Sequence, residues 1–551
     1  MKCRLAITAA MFLAVFLFWW LAYPHALSYQ EQNQLFLWTG DYLGERLSVP
    51  GGLAHYLGEC ITQFYLIPWL GALLLALLFT ALQQLMQRVL IASIRPLTAQ
   101  SKSPAPCTLP PASIYIMSFL PCALLLGHLG DENVLCAYPV ALVLTLMAAC
   151  MAGHTSVWAD LAVLPLLYWC VGPVAWLYVG LRIVRMGLRS TWLALYMALV
   201  LFVANWLLPN PAKMVWWGFS YYRIPLMTPI LQIVIPIVIF LLALVTRCVR
   251  RKTEVSQAVK TLSMAVCVAV LAVLAWLAVD KGFDADKYEL IRQDYLIRNE
   301  RWDDIIERAE HKVVKTPFWS QSVNLALAMT HQLAERQFMF YQSGTDALLM
   351  PAVHDNTSGW PSAEAFWRLG MVNTAQRYFF EMQNAILDHR LSGRCMKRLA
   401  ECAIVNGQYE VARRYLGMLT HTTFYRSWAQ KAMQCLNDEA VAAHQVWGPK
   451  RNLRFQSDFL FSWPVIDQML GLLFSSHHEN RMALEYMMAQ MLLNGNIQGF
   501  MQSMGAVERY GGYARMPMGY QEVVQSVQGQ TGADSGFMEY INRMNHHNQQ
   551  Q

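Results

Sequence analysis

The chain has 551 residues, 56% of them hydrophobic and only 14% charged, where ordinary soluble domains carry roughly 25% charged residues. The deficit falls almost wholly in the first half, which excludes an all-soluble protein. The formal net charge of +6 does not point to nucleic acid. The bases stand in short segments beside apolar runs, as positive-inside topology requires, and no zinc-finger spacing, Gly-rich phosphate loop or long basic stripe accompanies them.

Apolar runs near 20 residues long are what a helix needs to cross about 30 Å of hydrocarbon. The first, Leu5 to Ala22, follows Lys2 and Arg4 and ends in the bulky pair Trp19-Trp20. It reads as a retained signal anchor rather than a cleaved signal peptide, with the N-terminus cytoplasmic. Residues 23–64 form a polar loop in which Glu31, Asp41, Glu45 and Glu59 face a lone base, Arg46, and this places the loop outside. A second run, about 64–85, delivers the chain to Arg88, Arg95 and Lys102, which fit the cytoplasmic face. A third covers about 113–128 and turns at Gly130-Asp131-Glu132-Asn133. Residues 134–184 are interrupted at Gly153-His154 and Gly172-Pro173 and read as two spans or as three short ones. Three is preferred, because it puts Arg182, Arg185 and Arg189 inside; Pro165 and Gly172-Pro173 then mark bent or broken helices. A run at 191–208 leads to the interfacial aromatics Trp216, Trp217, Tyr221 and Tyr222. Another at about 225–246, with Pro229 and Pro236, returns to Arg247, Arg250, Arg251 and Lys252, and the last covers about 259–279. The fold class is all-α: a polytopic bundle of about eight or nine spans over residues 1–280, then a water-soluble helical domain over 281–545 on the extracytoplasmic side.

The soluble half repeats apolar residues at three- and four-residue spacing. Helix pairs stand out: Tyr288–Asn299 with Trp302–Val314, Cys395–Val405 with Tyr409–Leu419 across Asn406-Gly407, and Met482–Leu493 with Ile497–Met504 across Asn494-Gly495. This is tetratricopeptide-like, although the marked turns lie about 90 to 110 residues apart instead of about 34. Such arrays bind peptides or partner proteins on a curved surface, or merely support a neighbouring domain. Residues 343–362 read as a long loop and 546–551 as a disordered tail.

Twelve cysteines form no CxxC pair. Cys122, Cys136, Cys150, Cys170 and Cys267 sit within apolar runs as small hydrophobes. Asp160, with Asn205 and Gln232 as polar company, is the candidate for a transport path, and an interfacial acid is the simpler reading. His477-His478 and His546-His547 lack acidic ligands at metal-site spacing.

The one place where the sequence points to a reaction is the loop after the first span. Glu31 and Asp41 are the catalytic candidates, as a general base or as ligands to a divalent metal at a phosphate leaving group. Two short helices along the membrane surface fit this loop, the second opening at Pro50-Gly51-Gly52. The layout resembles glycosyltransferases of the GT-C superfold, which use a polyprenyl-phosphate sugar donor, carry an acidic residue in the first external loop beside two juxtamembrane helices, and in some members bear a tetratricopeptide-like domain. The resemblance implies Glu31 as first choice, and a lipid-linked sugar as partner; the paired acids of that family are absent here. A resemblance over nearly the whole chain is to an uncharacterised family of bacterial polytopic membrane proteins, carried by Tyr29-Gln30-Glu31-Gln32, Pro50-Gly51-Gly52-Leu53-Ala54, Pro68-Trp69-Leu70-Gly71-Ala72, Trp302-Asp303-Asp304-Ile305-Ile306 and Asn406-Gly407-Gln408-Tyr409. It implies the two-part architecture and no reaction. Two expectations follow: a lipid-linked-sugar transferase of the cytoplasmic membrane, or a non-catalytic scaffold that grips a partner through its external helical domain.

Overall fold

The computed structural model describes residues 2–94, 111–152, 157–187, 190–218, 230–248, 257–455, 466–529 and 535–550. The expectations placed on Arg95, Lys102, Gly153-His154, Arg189, Tyr221-Tyr222, Pro229 and Arg250-Arg251-Lys252 lie outside them. The described residues are helical throughout their ordered elements, with no strand among them. The chain divides into two compact units, Met1–Ala285 and Asp286–Gln551.

The first unit contains α1 (Lys2–Leu17), α2 (Pro24–Gln32), α3 (Gly40–Leu47), α4 (Gly52–Thr62), α5 (Pro68–Ile94), α6 (Pro111–Met117), α7 (Leu120–His128), α8 (Ala137–Met151), α9 (Asp160–Val171), α10 (Ala175–Met186), α11 (Trp192–Leu207), α12 (Ala212–Trp217), α13 (Ile230–Cys248) and α14 (Gln257–Gly282). Five stretches are long and apolar enough to cross a membrane: Arg4–Ala22, Pro68–Ile94, Asp160–Met186, Ile230–Cys248 and Thr261–Gly282. Ala112–His128, Ala137–Met151 and Trp192–Leu207 are shorter apolar helices.

One of the five is folded on itself. A straight helix would hold Tyr178 about 27 Å from Asp160, yet the Tyr178 hydroxyl donates to Asp160 Oδ1 at 2.6 Å. The reversal falls at Gly172, whose φ of 67° and ψ of −152° belong to a region that is essentially glycine's alone. Residues 160–186 are therefore a hairpin, α9 down and α10 back, and 137–186 contains three short helices. The tip is covered by protein: Gly51 N–H donates to the Trp169 carbonyl at 2.9 Å, and Trp169 Nε1 donates to the Leu47 carbonyl at 2.8 Å.

Side-chain contacts fix the other directions. Near the start of α1, Thr8 bonds to Tyr115 at 2.7 Å. Near the start of α14, Ser263 meets Ser113 at 3.2 Å. At the opposite end, Phe18 and Phe283 pack edge to face at 5.4 Å, and a Cβ on Gly127 would stand 3.1 Å from Ala278 Cα. So α1, the α6–α7 pair and α14 run parallel. Gln84, late in α5, reaches Thr8, early in α1, at 3.3 Å, so α5 runs back. Cys150, at the end of α8, faces the Leu85 carbonyl at 3.9 Å. Tyr196, early in α11, donates to the Leu161 carbonyl at 2.8 Å. Tyr138, early in α8, donates to the Gln232 carbonyl, early in α13, at 2.9 Å. Taken in order, α1, α5, α6–α7, α8, α9, α10, α11, α13 and α14 alternate in direction. The first begins at one end of the bundle and the last finishes at the other.

The loop at 23–64 holds three helices, not two. Gly51 is the left-handed N-cap of α4 (φ 82°). A Cβ on Gly52 would overlap the Arg46 carbonyl oxygen, and one on Gly58 would lie 2.7 Å from Ala137 Cα. The Pro50-Gly51-Gly52 stretch thus serves a tight α3–α4 turn, and Gly58 lets α4 lie directly on α8.

The second unit contains α15 (Ala285–Arg298, whose first residue belongs to the first unit), α16 (Trp302–His311), α17 (Pro317–Met329), α18 (Leu333–Arg336), α19 (Trp360–Leu369), α20 (Val372–Asn384), α21 (Gly393–Val405), α22 (Tyr409–Thr420), α23 (Arg426–Gln434), α24 (Asp438–Ala443), α25 (Trp447–Leu453), α26 (Ile466–Ser476), α27 (Arg481–Leu493), α28 (Ile497–Tyr510), α29 (Met518–Val527) and α30 (Gly536–Gln550). The tail expected to be disordered from 546 is helical through Gln550.

One turn recurs. A left-handed residue closes a helix at Glu300, His331, Gly370, Gly407 and Gly495. In each case the next N–H reaches back five residues, from Arg301 to Leu296, Gln332 to Leu327, Met371 to Phe366, Gln408 to Ala403 and Asn496 to Met491, at 2.7–3.0 Å. This is the long bond of a Schellman cap. The first four turns come about 30 to 40 residues apart, the length of one helix pair in repeat arrays. The helix before the turn is buried nearly all round in α17, α19, α21 and α27, whereas α16, α22 and α28 after it bury a single stripe. The array is not an open solenoid. Asn480 Nδ2 caps the Leu369 carbonyl at 2.8 Å, Met518 N–H donates to Glu335 at 2.8 Å, and α27, α29 and α30 return against α17, α18 and the turn after α18.

Candidate functional site

The loop acids have separate fates. The first helix after the span, α2, starts with Pro24, whose fixed φ and missing N–H suit a first turn. It buries His25, Ser28, Glu31 and Gln32, with Glu31 only 4% exposed. Gln30 ties this helix to the turn after α7 by donating to the Val134 carbonyl at 3.1 Å. Asp41 is exposed in the first turn of α3, where Thr39 caps Tyr42 N–H at 3.2 Å. A carboxylate there favours the positive end of the helix dipole. Glu31 and Asp41 are thus on different helices, one buried and one in solvent, and do not form a pair.

The buried ion pair of the loop is Glu59 with Arg46. Glu59 is 1% exposed. It accepts from Arg46 Nε at 2.8 Å and from the Tyr42 hydroxyl, while the Arg46 guanidinium lies over the Tyr42 ring, 4.8 Å from its centroid. Burial and the Glu59 charge push the Tyr42 hydroxyl well above its ordinary value. Burial opposes the Arg46 charge, but Glu59 overcomes it and holds the guanidinium firmly protonated. This cluster clamps α3 to α4. Sequence reading saw the acid and the base but not their pairing, since the turn at Gly51 brings them together.

Asp160 is not a lone acid, for its carboxylate is paired. It is fully buried and Arg182 is 2% exposed. Arg182 Nε and Nη2 both donate to Asp160 Oδ2, at 2.9 and 2.8 Å, and Nη1 donates to the Ala152 carbonyl at 2.6 Å. With Tyr178 on the other oxygen, the pair pins α9, α10 and the end of α8 to one another.

The second unit has a larger charged core. Glu364, on α19, binds Arg398 from α21 twice, at 3.0 and 2.8 Å, and Arg368 one turn on. Arg398 also holds Glu401 at 2.7 Å, and Arg368 holds Glu300 at 2.8 Å. Burial alone would raise the Glu364 carboxyl, but Arg398, Arg368 and Arg394 bring it down to about 2. Lys450 donates to the Arg368 carbonyl at 2.7 Å; burial, then Arg368 and Arg398, lower its ammonium to about 8. Beside the network, Arg394 pairs with Asp294 at 2.7 Å and stacks over Trp360 at 3.5 Å. A shallow recess of about 20 Å³, room for about one water molecule, lies at the start of α20, lined by Gly370, Met371, Val372, Asn373, Thr374, Arg454 and Phe455. Arg454 there donates to the Asn406 side chain at 3.2 Å, and the lining holds no carboxylate, histidine or cysteine.

Among the described residues no group of three or more His, Cys, Asp or Glu is placed to hold a metal ion, and Glu31 with Asp41 does not make one. The ten described cysteines are free thiols.

The chain belongs to the family described as "Family of unknown function (DUF6057)", whose profile matches residues 1–549. No curated protein and no solved structure matches it.

Proposed function

We propose that this member of the DUF6057 family is a multi-pass protein of the cytoplasmic membrane that carries its second unit on the outer side and uses it as a binding module. The membrane reading rests on the apolar helices and on their alternation, which supports nine crossings with the two termini of the bundle on opposite faces. Charge agrees with that placement. Arg88, Arg182, Arg185 and Arg247 stand at the ends of α5, α10 and α13, on the face where α1 begins, while Glu31, Asp41, Glu45 and Glu59 stand on the other. A protease added to intact spheroplasts is expected to remove a C-terminal tag; a protected tag would overturn the orientation.

The observation that carries the binding reading is the recurrence of one helix-closing turn at Glu300, His331, Gly370, Gly407 and Gly495. Arrays of such pairs hold partners through the exposed faces of successive helices. Phe380 on α20 and Val411 on α22 are 51% and 40% exposed. A photo-crosslinking residue placed at either position in the full-length protein in cells is expected to yield a discrete adduct. A diffuse ladder equal to that from a membrane-facing control position would count against it.

A second reading, the GT-C-like transferase, is favoured by one observation: Glu31 is a buried carboxylate on the first helix after the first span. Glu31→Gln should then abolish glycan transfer while the protein still accumulates in the membrane. Asp41, exposed at a helix start, serves as the control. Retained transfer in Glu31→Gln would remove the transferase reading and leave the binding module.

A further inference from the structure

At the end of the bundle where α1 begins, positive charge exceeds negative. The end of α8 is the centre of the feature. Cys150 is held there against the Leu85 carbonyl of α5, and Ala152 accepts from Arg182 of α10. Arg88 lies three residues past Leu85 on α5, and Arg185 three residues past Arg182 on α10. Both helices run toward the same end, so both residues stand about one turn beyond the Cys150–Ala152 level. Both fall within electrostatic reach of the Cys150 thiol, and Arg185 also feels the repulsion of Arg182.

The carboxylate beside this group is Asp160, and it is already consumed: Arg182 and Tyr178 occupy its two oxygens. Among the described residues Arg185 Nε is buried without a hydrogen-bond partner, and neither Arg88 nor Arg185 forms an ion pair with any of them. A half-buried guanidinium without an anion is costly, and its planar fork matches two phosphate oxygens. Basic niches between spanning helices on the cytoplasmic side are where acidic headgroups bind.

We propose that Arg88 and Arg185, at the edges of α5 and α10 around the end of α8, form a binding site for the phosphate of an anionic phospholipid headgroup in the cytoplasmic leaflet. The inference rests on the membrane reading but not on either functional reading of the loop or the second unit. Arg182 is not part of the site: it positions the hairpin through Asp160 and leaves Arg185 a cation that the described residues do not neutralise.

The test uses the full-length protein in a neutral detergent. Melting temperature is followed while mixed micelles of phosphatidylglycerol, of phosphatidylcholine, or inorganic phosphate alone are added. Phosphatidylglycerol is expected to raise it by several degrees, phosphatidylcholine by little, and 0.5 M salt to erase most of the difference. Arg88→Gln with Arg185→Gln should lose at least half of the phosphatidylglycerol shift while melting normally without lipid. If that variant misfolds, the exposed Arg88→Glu alone serves, with the same loss expected. An unchanged phosphatidylglycerol shift in a folded variant overturns the site. An equal shift with inorganic phosphate alone overturns the lipid as its source. Equal shifts with both lipids overturn the electrostatic basis, even where the protein remains embedded as proposed.

Discussion

The two units each bury an ion cluster, and they do so in opposite ways. In the first unit Asp160 and Arg182 form a closed pair: one charge of each sign, both out of solvent, each polar atom used by Tyr178, Ala152 or the partner. In the second unit Glu364 is shared by two arginines, and the chain of charges continues through Arg368 to Glu300, which is 64% exposed. The difference agrees with the proposed membrane reading. Beside hydrocarbon there would be no water to complete a charge, so a pair must be neutral and self-sufficient. The network of the second unit reaches the surface at Glu300, where solvent takes up what the protein leaves unpaired.

The largest expected effect tests that contrast directly. Asp160→Ala leaves Arg182 buried without a counter-charge and should cost about 3–5 kcal/mol, seen as loss of folded protein in the membrane fraction. Asp160→Leu combined with Arg182→Leu removes both charges and should recover most of the loss. A single variant that accumulates like the parent would mean that water reaches the hairpin and that the pair is not closed.

Glu364→Gln should do less, about 2–3 kcal/mol, because Arg398 retains Glu401 and Arg368 retains Glu300. The same carboxylate gives the second unit an acid limit. Its ordinary value of 4.5 is brought down to about 2 in the folded chain. The stabilisation is therefore complete above about pH 4.5 and is lost as pH falls toward 2, by up to about 3 kcal/mol. Hydrogen exchange of residues 360–369 should speed up in that window in the parent and show no such step in Glu364→Gln. Lys450 acts in the other direction. Its folded value of about 8 lies below the ordinary 10.5, so a penalty present below pH 8 is relieved as pH rises toward 10.5. Lys450→Met should remove that rise, at the cost of the bond to the Arg368 carbonyl.

A smaller effect belongs to the loop. Gly58→Ala pushes a Cβ into the Ala137 backbone and should cost about 1–3 kcal/mol by prying α4 from α8. A neutral result would mean that α4 can slide, and the cover over the hairpin tip would be looser than the Gly51–Trp169 bond implies.

What the sequence made legible, and what it hid, divides along these same clusters. Apolar length located the apolar helices within a few residues at most ends, because the length that a bilayer demands leaves a direct mark in composition. The end of α5 was the exception: the run read as closing near 85 stays helical through Ile94. Gly172-Pro173 announced the break in 160–186, because few other dipeptides can make it. The pairing of Asp160 with Arg182 was invisible. Residues 22 apart meet only once the chain reverses, and spacing alone cannot say that it does. Glu59 with Arg46 was hidden for the same reason, one turn away. In the second unit Asn406-Gly407 and Asn494-Gly495 gave away their turns. The turn at Gly370 escaped because its neighbours carry no asparagine, and the one at His331 because a left-handed histidine leaves no composition mark.

That last turn supplies the gentlest comparison. At Gly407 and Gly495 the left-handed residue has no Cβ to clash, whereas His331 holds φ at 58° with a side chain in place. The backbone bonds are the same: Gln332 N–H reaches the Leu327 carbonyl at 2.7 Å and His331 N–H the Ala328 carbonyl at 3.1 Å. The histidine ring is exposed, so its removal forfeits little packing. His331→Gly should relieve the left-handed strain of about 1–2 kcal/mol. It should also lose part of that gain to the greater freedom of glycine in the unfolded chain. The net expectation is a stabilisation of about 0.5–1 kcal/mol, read as a rise in the urea midpoint at unchanged slope. The same change at Gly407, in reverse to alanine, should destabilise by about 1 kcal/mol. If His331→Gly instead weakens the unit while Gly407→Ala is neutral, the two turns are not the same device, and the array loses the recurrence on which its repeat character rests.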